Sequence, residues 1–224
     1  MKNKYLTDRR RHEPNVERSI KPNKMLKKRY LIVCEGENTE PSYFKQFKLT
    51  TATIKTVGEG FNTLSLVLRT MEIISKEKDK YDSVWCVFDR DNFPAQIFNE
   101  AIKIAEKEGF HVAYSNQAFE YWLILHFQDH QGGAFKRQDY DNKINEYVKP
   151  LKCKYDGKKS KTISDKLFEI LLANDPQTKR PRVQLAIERA KKVLRWHESM
   201  EHSPEQAESS TTVFKLVEEI LKFI

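Results

Sequence analysis

The sequence predicts an α/β protein with a mostly parallel sheet flanked by helices and a helical C-terminal part. Three observations carry that expectation. The runs YLIVC at 30–34 and SVWCVF at 83–88 are apolar without alternation, as strands covered on both faces are. Stretches with apolar residues at helical spacing, 63–78 and 94–108, follow strand candidates, and such alternation is the signature of parallel strands joined by crossover helices. From residue 119 onward, helical patterns joined by polar loops replace the strands.

Residues 1–28 form a basic arm before the first strand. They hold 10 Lys/Arg against 3 Asp/Glu, a net +7 of the chain's formal +8. RRR at 9–11 and KPNKMLKK lack helical periodicity and Pro14 and Pro22 interrupt them, so an extended, flexible segment is expected. Arg9, Arg10 and Arg11 are candidates for salt-dependent contact with nucleic-acid phosphates.

The folded part then runs over 29–224, with a sheet core at about 29–118 and a mostly helical part at about 119–224. Tyr30–Cys34 reads as a buried strand. PSYFKQF begins a short helix, with Thr39 as candidate N-cap and Pro41 early in the helix. TATIKTVG (51–58) is the second strand. Thr63–Lys78 is a helix with Leu64, Val67, Leu68, Met71 and Ile74 on one stripe. SVWCVF is the third strand, ended by DRDN. Pro94–Glu108 carries Ile97, Phe98, Ala101, Ile102 and Ala105 on one helical face and is closed by Gly109. His111–Ser115 is a short fourth strand. Helices are expected at about 119–127, 140–148, 164–173, 182–197 and 211–224, linked by QDHQGGAFKRQ, YDGKKSKT and SPEQAESS.

Composition narrows the function classes. With 39% hydrophobic and 32% charged residues, the chain reads as a soluble globular protein. No apolar run approaches the roughly 20 residues that cross a bilayer, and the N-terminus lacks the apolar core of a secretory signal, so no membrane association and a cytoplasmic location are expected. Cys34, Cys86 and Cys153 are too few and too scattered for a disulfide framework or a zinc spacing, and Cys34 and Cys86 read as small buried hydrophobes.

The chemistry-bearing pattern is acidic. In open parallel sheets, function collects at the carboxyl ends of strands. Glu35 stands there after the first strand, with Gly36 giving a turn free of a side chain. Asp89 and Asp91 stand there after the third, and strand alternation points both the same way with Arg90 opposite. If the two strands are neighbours, three carboxylates meet. At 4 Å each pair repels by about 4 kcal/mol at an effective dielectric near 20, so either a proton or a cation must compensate. An all-oxygen donor set suits Mg²⁺, Mn²⁺ or Ca²⁺ rather than zinc. The plainer reading makes Glu35 a cap and DRDN a polar turn. His126 and His130, four apart in HFQDH, have zinc-like spacing without a matching third ligand, so a packed His126 and an exposed His130 are expected.

CEGENTEPSYF, DRD after SVWCVF, SNQAFEYWLILHF (115–127) and SSTTVFKLVEEI (210–220) together resemble the RloB-like proteins of bacterial and archaeal restriction and phage-defence loci. The resemblance covers about 29–224 and leaves the arm outside. It implies a Toprim-like fold in which a glutamate and a DxD pair act with Mg²⁺ or Mn²⁺, and so implies catalytic and metal roles for Glu35, Asp89 and Asp91. Glu40 is the nearest candidate for the second acid that follows the EG turn in OLD-type nucleases, although EGENTE is one residue longer than the usual spacing. Glu40 is equally a first-turn helix acid favoured by the dipole. Glu120 in NQAFE is a further ligand or a brace for its helix, and Asn116 positions a ligand or the loop. OLD-type sites also use a lysine on the phosphate. DGKKSK offers Lys158, Lys159 and Lys161, but no spacing singles one out, and the preferred reading is a solvated loop.

The leading functional expectation is a Mg²⁺- or Mn²⁺-dependent nuclease acting on DNA or RNA in phage defence. The resemblance implies an ATPase encoded nearby as partner, since members of that family often lie beside an ATPase gene, and the sequence has no GxxxxGK[ST] loop of its own. The alternative is a non-catalytic adaptor that binds nucleic acid or such an ATPase; a primase-type enzyme ranks last. A homo-oligomer remains open.

Overall fold

The computed structural model describes residues 28–56, 63–77, 81–90, 94–130 and 135–224. Strands β1 (Tyr30–Cys34), β2 (Ala52–Thr56), β3 (Ser83–Asp89), β4 (His111–Asn116) and β5 (Ser210–Thr211) form one sheet in the order β2-β1-β3-β4-β5. The first four are parallel, and β5 runs antiparallel to β4. Helices α1 (Thr39–Lys45), α2 (Thr63–Lys76) and α3 (Ala95–Lys107) alternate with the strands. Then come α4 (Glu120–Leu125), α5 (Tyr140–Val148), α6 (Asp165–Leu172), α7 (Arg182–Ser199) and α8 (Val213–Ile220). The sequence-predicted α/β class, with its helical C-terminal part, is the fold found.

The uninterrupted apolar run of β1 has a direct cause. Leu31 and Val33 face a core built from Leu66, Val67 and Ile73 of α2 and Phe98, Ala101 and Ala105 of α3. Tyr30, Ile32 and Cys34 face the other core, to which α1, α4, α5, α6, α7 and α8 contribute. Both faces are therefore dry, and each fully buried Leu, Ile or Val contributes about 1.5–3 kcal/mol relative to exposure. Cys34 and Cys86 are buried free thiols. Among the described residues, no helix is long and apolar enough to cross a membrane.

An aromatic cluster fixes α1 against the helical part. The Tyr43 ring packs edge-on against Phe44, Phe119 and Phe168, with centroids 5.4, 5.4 and 5.6 Å away. Residues just before α4 and within α6 are thereby held close to α1. This packing sets the relative positions of the acids carried by α1 and α4.

Three local expectations are corrected. The helix predicted from 211 starts at Val213, and Ser210–Thr211 instead close the sheet edge. The strand has only two residues, so no periodicity announces it; hydroxyl bonds fix it, with Thr211 Oγ1 donating to the Tyr114 carbonyl (3.0 Å) and Tyr114 N–H donating to Thr212 Oγ1 (2.9 Å). Thr39 is not the cap of α1 but its first residue; Asn38 precedes it and makes no side-chain capping bond. His130 is not exposed: it is 8% accessible, and its Nδ1 lies 2.8 Å from the Tyr121 hydroxyl. His126 is packed, as expected.

Candidate functional site

β1 and β3 are adjacent, paired Cys34 with Val87. The ladder continues past the end of β1, with Glu35 N–H donating to Val87 O at 2.9 Å, and past the end of β3, with Arg90 N–H donating to Ser115 O at 2.9 Å. Backbone pairing thus delivers Glu35 and Asp89 to the same carboxyl edge. There Asp89 N–H donates to Glu35 Oε2 at 3.3 Å, and Phe119 N–H donates to Asp89 Oδ2 at 3.1 Å, tying the third strand to the start of α4.

Glu40, on the first turn of α1, is 5% exposed and folds back over the EG turn. Its carboxylate accepts from the Gly36 N–H and from its own N–H. A Cβ on Gly36 would lie 2.5 Å from Glu40 Oε2, so the glycine leaves room for the carboxylate, which any side chain there would displace. Glu120 opens α4 and accepts a 2.7 Å hydrogen bond from the Tyr155 hydroxyl at Oε1. Because that proton is committed, the contact of Tyr155 with Thr39 Oγ1 at 3.5 Å has Thr39 as donor.

The four acids repel one another. Burial, then the neighbouring Glu40, raise the Glu35 carboxyl to about 7, against the opposing Asp89 N–H bond and the Arg137 charge. Burial is again the largest influence raising Glu40, with Glu120 adding to it and Lys161 opposing. Asp89 is raised well above the ordinary range by burial and then by Glu40 and Glu120, opposed by Arg137 and the Phe119 N–H. Dehydrating several carboxylates together favours a proton or a cation.

Beside this rim lies a cavity of about 110 Å³, lined by Glu120, Arg137, Tyr140, Asp141, Gly157 and Lys161. The lysine loop is organised by Asp156, whose Oδ1 accepts from the Lys158 and Lys159 N–H groups at 3.2 and 3.0 Å. Lys158 and Lys159 have exposed side chains, whereas Lys161 lines the cavity. Asn116 points away from the acids: its Nδ2 donates to the Pro204 and Glu205 carbonyls, both at 3.0 Å. Asp91 and Arg9, Arg10 and Arg11 lie outside the described residues.

Arg137, Tyr140 and Tyr155 escaped the sequence reading. Arg137 opens a single 3₁₀ turn, Arg137–Asp139, in a stretch that reads from sequence as a polar loop with no motif around it. The tyrosines look like ordinary core residues until packing shows where their hydroxyls end.

Among the described residues, no three carboxylate, imidazole or thiol groups converge as a ready-made metal cage. The donor set is nonetheless chemically suited to a hard cation. Mg²⁺ usually takes one or two carboxylates, keeps several waters and leaves positions for substrate phosphates. Glu35, Asp89 and Glu120, each in electrostatic contact with Glu40, are carboxylates of that kind.

The molecule is therefore an α/β protein with an acidic rim at the carboxyl ends of its central parallel strands. It belongs to the RloB-like protein family, whose pattern matches residues 30–220. Comparisons with curated proteins and with solved structures returned no match.

Proposed function

We propose that the protein is a Mg²⁺- or Mn²⁺-dependent nuclease that hydrolyses phosphodiester bonds in DNA or RNA. The observation that carries this reading is the meeting of Glu35, Glu40, Asp89 and Glu120 at one sheet edge, each of Glu35, Glu40 and Asp89 pushed toward protonation by burial and by other acids. Glu35 and Asp89 would hold the cation, with Glu40, Glu120 and Asp91 as further oxygen donors. When bound, such an ion neutralises phosphate charge and activates water.

The chain's own residues do the rest. The Phe119 N–H holds Asp89, and Tyr155 fixes Glu120, so the donors are oriented before substrate arrives. Residues carrying positive charge, Lys158, Lys159 and Lys161 with Arg9, Arg10 and Arg11, would engage the nucleic-acid backbone. The RloB-like membership supports a setting in prokaryotic phage defence, with an ATPase encoded nearby as partner.

The test is cleavage of plasmid, single-stranded DNA and tRNA in Mg²⁺ or Mn²⁺. Wild type should cut at least one of them, EDTA should stop it, and Asp89→Ala should be inert. Equal cleavage by wild type and Asp89→Ala would assign the activity to a contaminant and end the proposal. Silence on every substrate, with retained nucleic-acid binding, would favour the adaptor reading.

A further inference from the structure

The cavity beside the acidic rim is not explained by cation holding. Its lining includes two cationic side chains, Arg137 and Lys161, together with Tyr140. Tyr140 is 1% exposed, yet its hydroxyl has no hydrogen-bond partner. Leaving a buried hydroxyl unsatisfied is unfavourable by about 1–3 kcal/mol, which points to an acceptor supplied from outside. The acids in the same wall have protein donors already. Asp141 Oδ1 accepts from Gly157 N–H at 2.9 Å and from Asn145 Nδ2 at 3.3 Å, and Glu120 Oε1 accepts from Tyr155.

Size and charge narrow the occupant. At about 110 Å³ the cavity has room for a tetrahedral oxyanion. Arg137 presents a planar fork of donors suited to phosphate oxygens. Its charge also reaches Glu35 and Asp89, so it acts on the rim as well as lining the cavity.

We infer that this cavity is a phosphate subsite, in which Arg137, Tyr140 and Lys161 grip a backbone phosphate of the nucleic acid next to the bond presented to the acidic rim. The inference rests on the nuclease reading for the identity of the ligand, and its geometry is independent of it. Arg137 and Lys161 supply charge, and Tyr140 supplies a directional O–H donor. Glu120 belongs to both compartments and separates the phosphate held here from the one at the rim.

The experiment titrates inorganic phosphate, and separately a fluorescent single-stranded oligonucleotide, into the full chain in EDTA, so that no cleavage occurs. Arg137→Ala should weaken phosphate binding about tenfold or more, since it removes charge-assisted bonds. Tyr140→Phe should weaken it about threefold to tenfold with an unchanged or higher melting temperature, because it deletes an unsatisfied hydroxyl. For the oligonucleotide, Arg137→Ala should reduce the salt dependence by about one counterion. Wild-type affinity for both probes in both variants would overturn the subsite, and so would the absence of any phosphate binding by wild type. Because the measurement needs no divalent ion, an inactive wild type that still loses phosphate binding on Arg137→Ala would sink the nuclease proposal and leave the subsite standing.

Discussion

Asp89 N–H donates to the Glu35 carboxylate at 3.3 Å, although 54 positions separate the two residues. The contact exists because β1 and β3 are hydrogen-bonded parallel neighbours, with Glu35 following Cys34, the partner of Val87, and Asp89 two residues beyond Val87. On the proposed reading, acids brought to one edge in this way would weaken the cation-free protein and strengthen a cation-loaded one.

Asp89→Asn and Glu35→Gln should therefore have opposite effects with and without divalent ions. In EDTA at pH 8, each should melt at or above the wild-type temperature, because one charge leaves a crowded site. With Mg²⁺ or Mn²⁺ at 100 times its dissociation constant, wild type should gain about 2.7 kcal/mol, and the variants little. Differential scanning fluorimetry with and without the ion checks this. Equal gains in all three proteins would remove these residues from the cation site.

Stability should vary with pH in two opposing windows. Glu35 is raised to about 7, above its unfolded range, and Glu40 and Asp89 move the same way. The favourable contribution of Glu35 and Glu40 is complete below about 4.5 and is lost as pH climbs through about 7, and that of Asp89 is likewise lost as pH rises. His126 behaves inversely: burial lowers its folded value to about 3, so stability is lost as pH falls from about 6.5 toward 3. Urea titrations in EDTA should show both limbs. His126→Leu should be less stable at neutral pH and shallower on the acid side. Added Mg²⁺ should flatten the alkaline limb, because protons and cation compete for the same oxygens.

Gly36→Ala should injure the site more than the fold. Its new Cβ would meet the Glu40 carboxylate, the far end of a side chain, rather than backbone. Displacing that carboxylate should weaken Mn²⁺ binding in calorimetry by about tenfold, the scale expected for disturbing an outer ligand. The melting temperature should fall by only a few degrees, consistent with about 1 kcal/mol.

Tyr155→Phe should release Glu120. The lost bond is buried on the tyrosine side and charge-assisted, so a stability loss of about 1.5–3 kcal/mol is expected in chemical denaturation. Hydrolysis by the variant should fall while Asp89-dependent cation binding persists. Full activity in Tyr155→Phe would make Glu120 a brace for α4 alone.

Much of the fold was legible because its determinants are local. The apolar runs of β1 and β3 carry no alternation since both sheet faces are covered, and α2 and α3 show their buried stripes at helical spacing. β5 was not legible, because two residues held by threonine hydroxyl bonds have no period. His130 read as exposed because its burial depends on Tyr121 and Phe135 packing over it. At the site, Glu35 and Asp89 could be named from their place after strands. Arg137, Tyr140 and Tyr155 could not, since their relevance comes from folding the 135–161 region back over the rim.

The sequence by itself determined the class of architecture, the strand ends where acids stand, and the membership signal spread over 30–220. Hydrophobic period and turn residues act over a few positions, so they survive in one dimension. Tertiary structure alone decided that β1 and β3 are neighbours, that Glu40 rests on Gly36, and that Tyr140 lines a charged cavity while its buried hydroxyl has no partner. Those facts depend on long-range pairing and on the closure of a helical layer over the sheet, where side chains distant in sequence share one poorly hydrated space and their charges and hydrogen bonds become mutual.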